Sequence, residues 1–513
     1  MQPSFPPPLG PPSVRPVDTQ PKNTQVDDRF STLNLGSQDW DEILLDAVGV
    51  PLVHQAERAP NLRVGLLRKA VTKGIVTKPD ATESFSLSFI SRMYSAQLPG
   101  HHTPGTELNA GLRKEMKGHI IDTDLPNFID LLFPTSRLPF PIDNTFFDKL
   151  SSPHTTATGL VIPAIWSTSL NSQRDIPTTY TEQSITEWLN TIGNAMAHAS
   201  GHAVCRLWSQ RNCNRAPDGC NIKRKPDIIL IDTAYHSILD SAPGAASDWN
   251  FIHAFCEVTA QEKTSTRITD TINTKSYILF TTQHNRRFTL ALSFTGRKTF
   301  RLTITDREGQ IRMTELSLFG KRHNTFFFRI IAFLMFGHDS DIGLDPNVEV
   351  DSTTGRVCAI VVDNKRFEVL QLIHSVETLV GRATKVWIVS FEGKVFTIKD
   401  SWIQDKHVQS EVSFLSQMSI PALEGRVPHL VCGGDVIING VRDCTGRYRV
   451  DLEGYPYSQR VHRRIVTSSI GESITTFQSK QEFINVILSL LGSTLSDLYL
   501  TFTIELKVLS CSS

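Results

Sequence analysis

Residues 379–402 read LVGRATKVWIVSFEGKVFTIKDSW, and the fold of the C-terminal part turns on them. Val386, Trp387, Ile388 and Val389 make one β-rich run, and Val395 to Ile398 make a second. Between them Glu392-Gly393 supplies a two-residue hairpin turn. Gly381 opens the unit and Lys399 closes it. A glycine at such a mouth lets backbone approach a phosphate closely. A lysine at the end of the inward strand places a cation over the same phosphates.

Downstream, residues 405–418 show helical spacing, with Val408, Val412 and Leu415 on one face and Glu411 among them. A helical carboxylate in that position holds a strand lysine on phosphates. The competing reading of Glu411 is a solvated surface carboxylate. Against the pattern Gly-x-Gly-x-x-Gly-x-Val, Gly381 stands as the first glycine, while Ala383 and Val386 occupy the second and third places. Phe396-Thr397-Ile398-Lys399 matches Val-Ala-Ile-Lys. This is a reduced form of the hairpin that cradles ATP in protein kinases.

Further boxes stand in order. Gln283, Arg286, Arg287 and Phe288 form one; Asp306, Arg307 and Gly309 a second; Gly343, Asp345 and Pro346 a third. Gly381-Arg382-Ala383-Thr384 and Lys399-Asp400-Ser401-Trp402 complete the series. With these boxes the chain resembles the fungal-type protein kinase family, over about residues 179–500. The resemblance implies ATP as phosphoryl donor, protein Ser/Thr as acceptor, and Gly381, Lys399 and Glu411 as nucleotide-binding residues. It assigns no catalytic residue and no metal ligand.

The chain has 513 residues, 40% hydrophobic and 20% charged, which indicates a globular protein of several domains. Lys+Arg and Asp+Glu are both 52, so no global field favours nucleic acid or a basic partner. The eight cysteines contain no Cys-x-x-Cys, which suits free thiols in an intracellular, reducing compartment; cytoplasm and nucleus are not separated. His202, Cys205, Cys213 and Cys220 lie close in sequence, but their spacing fits no zinc module. No run is long enough to span a membrane, and 326–336 (FFFRIIAFLMF), which carries Arg329, reads as a buried helix.

The proline-rich start, about residues 1–30, reads as disordered. Residues 31–134 have a helical pattern, with Asp124 as a helix N-cap and Pro126 in the first turn. Residues 135–178 read as an irregular linker, and 181–211 as one long helix. Strands are expected at 228–231, 251–258, 288–294 and 300–304, with a helix at 266–283. A hairpin follows around Asp363-Asn364; residues 421–443 read as irregular, and 463–466 as the strand before a hinge flanked by Gly471 and Ser473.

The strand–strand–helix order over 226–283 carries a second chemistry. Pro226-Asp227 and Glu257 match the Pro-Asp…Glu-x-Lys signature of a nuclease fold, in which two carboxylates hold Mg²⁺ and a lysine serves the attacking water. Thr259 stands where the lysine belongs, and Lys275 on the next helix is a substitute. The region 179–345 is therefore read as a nuclease-like α/β scaffold without activity. An active nuclease and two ordinary strand-end acids stay open as alternatives.

Residues 346–513 read as a kinase-like first lobe with the start of a second, in which 481–499 is a helix. His462-Arg463-Arg464 looks like His-Arg-Asp but has no Asp and precedes the hinge; no Asp-Phe-Gly occurs. The expectation is a mixed α+β and α/β protein: a nuclease-like core, a kinase-like first lobe and an incomplete second lobe. It would be a truncated pseudokinase, able to bind ATP but not to hold Mg²⁺ or transfer phosphate. Apolar surface near 463–471 would then lie exposed and want a protein partner. The reading from another class is a non-catalytic interaction or scaffold protein.

Overall fold

Two mixed or antiparallel sheets, one after the other in sequence, organise the chain. The computed structural model describes residues 105–468 apart from 124–126, 156–158, 160, 169–171, 243, 260–264, 297–298, 319–320, 406–410, 419–427 and 450–458, together with 479 and 481. The proline-rich start, Asp124, Pro126, Val408, Gly471, Ser473 and the helix expected at 481–499 lie outside these described residues.

The first half runs α1 (Gly105–Glu115), β1 (Ile120–Thr123), α2 (Asn127–Leu132), α3 (Asn144–Leu150), α4 (Glu182–Ser200), β2 (Arg206–Ser209) and β3 (Ile228–Asp232). It continues through α5 (Thr233–Ser241), β4 (Ala254–Thr259), α6 (Ser265–Thr282), β5 (Thr289–Thr295), β6 (Thr299–Asp306), β7 (Gly309–Met313) and α7 (Lys321–Phe336). The sheet order is β1-β7-β6-β5-β4-β3-β2, with Leu316–Ser317 added on β6. The β4/β5 and β1/β7 pairs are parallel and the others antiparallel.

Apolar runs explain this half. Strands β3 and β4 bury nearly every side chain, as strands covered on both faces do. Helix α7 has Phe327, Phe328, Ile330, Ile331, Phe333 and Leu334 fully buried, each contributing about 1.5–3 kcal/mol. The buried Arg329 is partly satisfied: its Nε donates to Phe133 O at 2.5 Å and Nη1 meets Asp130 at 2.5 Å. Burial of this helix agrees with the sequence. Among the described residues no helix is long and apolar enough to cross a membrane.

Three differences from the sequence reading have local causes. The helix expected over 181–211 stops at Ser200, because Gly201 takes the left-handed conformation (φ 76°) and the chain turns into β2. Residues 120–123, in the stretch read as helical, form β1, which pairs with β7 nearly two hundred residues away. The stretch read as linker holds α3 and buries Phe140, Phe146, Leu150 and Trp166 in the main core.

The second half contains β8 (Val348–Val350), β9 (Val357–Val362), β10 (Lys365–Ser375), β11 (Lys385–Phe391), β12 (Lys394–Gln404), α8 (Glu411–Gln417), β13 (Leu430–Asp435) and β14 (Arg460–Thr467). Its order is β8-β9-β10-β11-β12-β14-β13, antiparallel throughout. Both expected hairpins form on left-handed turn residues, Asp363-Asn364 (φ 48° and 61°) and Glu392-Gly393 (φ 49° and 72°). Two expectations need correction. Residues 430–435 are a strand, not irregular; a register shift near Gly433 and the absence of alternation hid it. The described part of the hinge strand is covered, not exposed: Val461, Ile465 and Val466 are each at most 2% accessible.

Candidate functional site

Side chains alternate across a strand, so β12 presents Lys399 to one face and Ile398, Asp400 and Trp402 to the other. The two faces carry different chemistry.

On the first face, Lys399 Nζ meets Glu411 Oε1 of α8 at 2.5 Å, both about 30% exposed. A half-exposed pair of this kind contributes at most about 1 kcal/mol to stability. Its larger consequence is to fix the ammonium at the mouth of the sheet. Lys399 lies opposite Val386 of β11, so the loop 376–384 that joins β10 to β11 sits at the same end. Gly381 in that loop has φ 123°, which favours glycine, and a Cβ there would touch nothing closer than 4.0 Å. Backbone conformation, not space, calls for glycine. The Gly381 amide donates to Arg307 O at 2.9 Å, so this group is already engaged.

The opposite face is a buried chain of alternating charges. Arg287 donates to Asp443 (2.8 Å), and His462 bridges Asp443 (3.0 Å) to Asp400 (2.5 Å). Arg464 then joins Asp400 (2.6 Å) to Asp345 (2.7 Å). Arg287 and Asp345 belong to the first half of the chain, and the other four to the second. Burial by itself would lower the His462 pKa, but Asp400 and then Asp443 raise it to about 9, so the imidazolium is charged. Burial opposes ionisation of Asp400, yet Arg464 and His462 hold it well below the carboxylate range. The Trp402 ring stacks on His462, centroids 4.6 Å apart.

The boxes seen in the sequence converge here. Gln283 donates to Trp249 O and Ile252 O, Arg286 is held by Gln283, and Phe288 packs edge-on against Tyr448. Asp306 accepts from Arg449 at 2.5 and 2.8 Å. His284, Arg307, Ala383 and Lys385 line a small cleft beside Asp400 and Arg464. None of the rear-face residues was assigned to a site from sequence. The available signal was charge inside a strand that is otherwise buried, Arg-Val-His-Arg-Arg-Ile-Val over 460–466.

In the first sheet, Asp227 and Glu257 meet at neighbouring strand ends. Asp227 Oδ2 accepts from Val258 N at 2.8 Å. Glu257 is paired with Lys275 of α6, and both are buried. Thr259 stays on β4. Among the described residues no group of three or more His, Cys, Asp or Glu side chains could hold a metal ion.

Comparison with known proteins gives one match. The family model described as Fungal protein kinase matches residues 225–500, more than half of the 513. No curated protein and no solved structure matches.

Proposed function

Because the chain belongs to the fungal protein kinase family, we propose that the Lys399–Glu411 face binds the phosphates of ATP. The observation that carries this reading is the ion pair between a strand lysine and a helix carboxylate, at the end of the sheet where the loop 376–384 emerges. In phosphoryl transfer such a pair positions the nucleotide, while separate Asp and Asn residues supply base and metal. Residues 1–513 contain no Asp-bearing His-Arg-Asp segment and no Asp-Phe-Gly. The function proposed for these residues is therefore nucleotide binding without transfer of phosphate, in an intracellular protein. Gly381 contributes the conformation of the loop.

The test is thermal unfolding with and without ATP. ATP should raise the melting temperature of the parent and leave Lys399→Ala unchanged. An unchanged parent, or a shift that survives in Lys399→Ala, would contradict the reading.

A second reading, for residues 179–345, is a nuclease-like scaffold without activity. It is favoured by the meeting of Asp227, Glu257 and Lys275, with Lys275 on α6 where Thr259 of β4 offers no amine. One oxygen of each carboxylate is engaged: Asp227 Oδ2 by a backbone amide and Glu257 Oε1 by Lys275.

A further inference from the structure

Three cations lining the rear cleft have no carboxylate within ion-pair distance among the described residues. Arg286 spends its donors on neutral oxygens, those of Gln283, Ile252, His253 and Ile342. Lys385 Nζ donates to His284 O at 2.9 Å. Arg307 Nη1 donates to Thr378 O at 2.6 Å, its guanidinium lies 3.7 Å over the Phe280 ring, and its Nε has no hydrogen-bond partner among the described residues. Arg307 is 2% exposed and Lys385 6%.

The two carboxylates on the cleft do not compensate them. Both oxygens of Asp400 accept from His462 and Arg464, and Asp345 is taken by Arg464 and the Asn347 amide. Withdrawing an unpaired charge from water is unfavourable, and a carbonyl or a ring offsets only part of that. A water molecule could accept the spare hydrogen bonds but would leave the charge. The cleft has room for one small monatomic group.

We propose that the cleft between the two sheets, lined by Lys385 and Arg307, is a binding site for one small inorganic anion of halide size. It lies on the face of β12 opposite Lys399 and borders the loop 376–384 through Ala383 and Arg307, but it does not rest on the nucleotide assignment. Burial pushes the Lys385 amine down to about 7, and Arg307 adds to the effect, with Asp400 and Asp345 offsetting only part of it. The anion would join the charge chain where Asp400 and Arg464 pass the cleft, and so tie the halves of the chain together.

The test is thermal unfolding of the full chain at about pH 6, where Lys385 is charged, in sodium bromide and in sodium gluconate at equal ionic strength. Gluconate is too large for the cleft. The parent should melt a few degrees higher in bromide. Lys385→Met removes the unpaired charge, so it should melt no lower than the parent in gluconate and show no bromide effect. Equal melting of the parent in both salts would overturn the proposal, as would a bromide effect that survives in Lys385→Met. If the variant fails to fold, anomalous diffraction from bromide-grown crystals decides. A peak between Lys385 Nζ and Arg307 supports the site; peaks elsewhere alone, from an adventitious ion only, refute it.

Discussion

Lys399 and Asp400 are adjacent in sequence and opposite in direction. One residue pairs with Glu411 on the face proposed to bind nucleotide, and the next anchors its strand to the first half of the chain through Arg464 and Asp345. His462 is the keystone of that anchor, and its charge gives a pH signature. Its folded pKa, about 9, lies above the ordinary 6.5. The stability it contributes is therefore fully present below about pH 6.5 and is lost as pH rises through about 9. The destabilisation caused by His462→Gln should be a few kcal/mol near pH 6 and shrink steadily toward pH 9. Lys385 also titrates in this range but does so in both proteins, so the difference between them isolates His462. Denaturant titrations across that range check it, and a constant difference would show that His462 acts by packing alone. The triplet His462-Arg463-Arg464 shows how sequence misleads at this scale. It looked like a failed catalytic motif, and each member instead has a carboxylate partner in the fold.

At the scale of elements, legibility followed locality. The turns at Asp363-Asn364 and Glu392-Gly393 could be read because turn chemistry is written in two residues. Helix α7 could be read from its apolar run. Strand β13 could not, since Leu-Val-Cys-Gly-Gly-Asp has no alternation and its pairing with β14 is set by the partner. Just past its bulge, Gly433 has φ 116°, and a Cβ there would lie 2.3 Å from Arg464 O. That contact is with backbone of the strand that carries the anchor, which cannot shift without moving Arg464. Gly433→Ala should therefore lose about 1–3 kcal/mol or more. A denaturant midpoint within about 0.5 kcal/mol of the parent would mean that the edge strand yields freely.

At the scale of the whole molecule, the boxes spread over 283–402 were legible one by one, but their convergence was not. Arg287 and Asp443 lie more than one hundred and fifty residues apart, and no local pattern announces that they meet. The sequence pointed to a nucleotide face; folding adds a second, buried face that ties the strand of Lys399 to the other sheet. The two faces should respond independently, and calorimetric titration with ATP tests this most directly. Three proteins are compared: parent, Lys399→Ala and Lys385→Met. The account predicts saturable binding to the parent, an affinity at least about tenfold weaker in Lys399→Ala from loss of a charge-assisted contact, and parental affinity in Lys385→Met. No binding to the parent, or equal affinity in parent and Lys399→Ala, would contradict it.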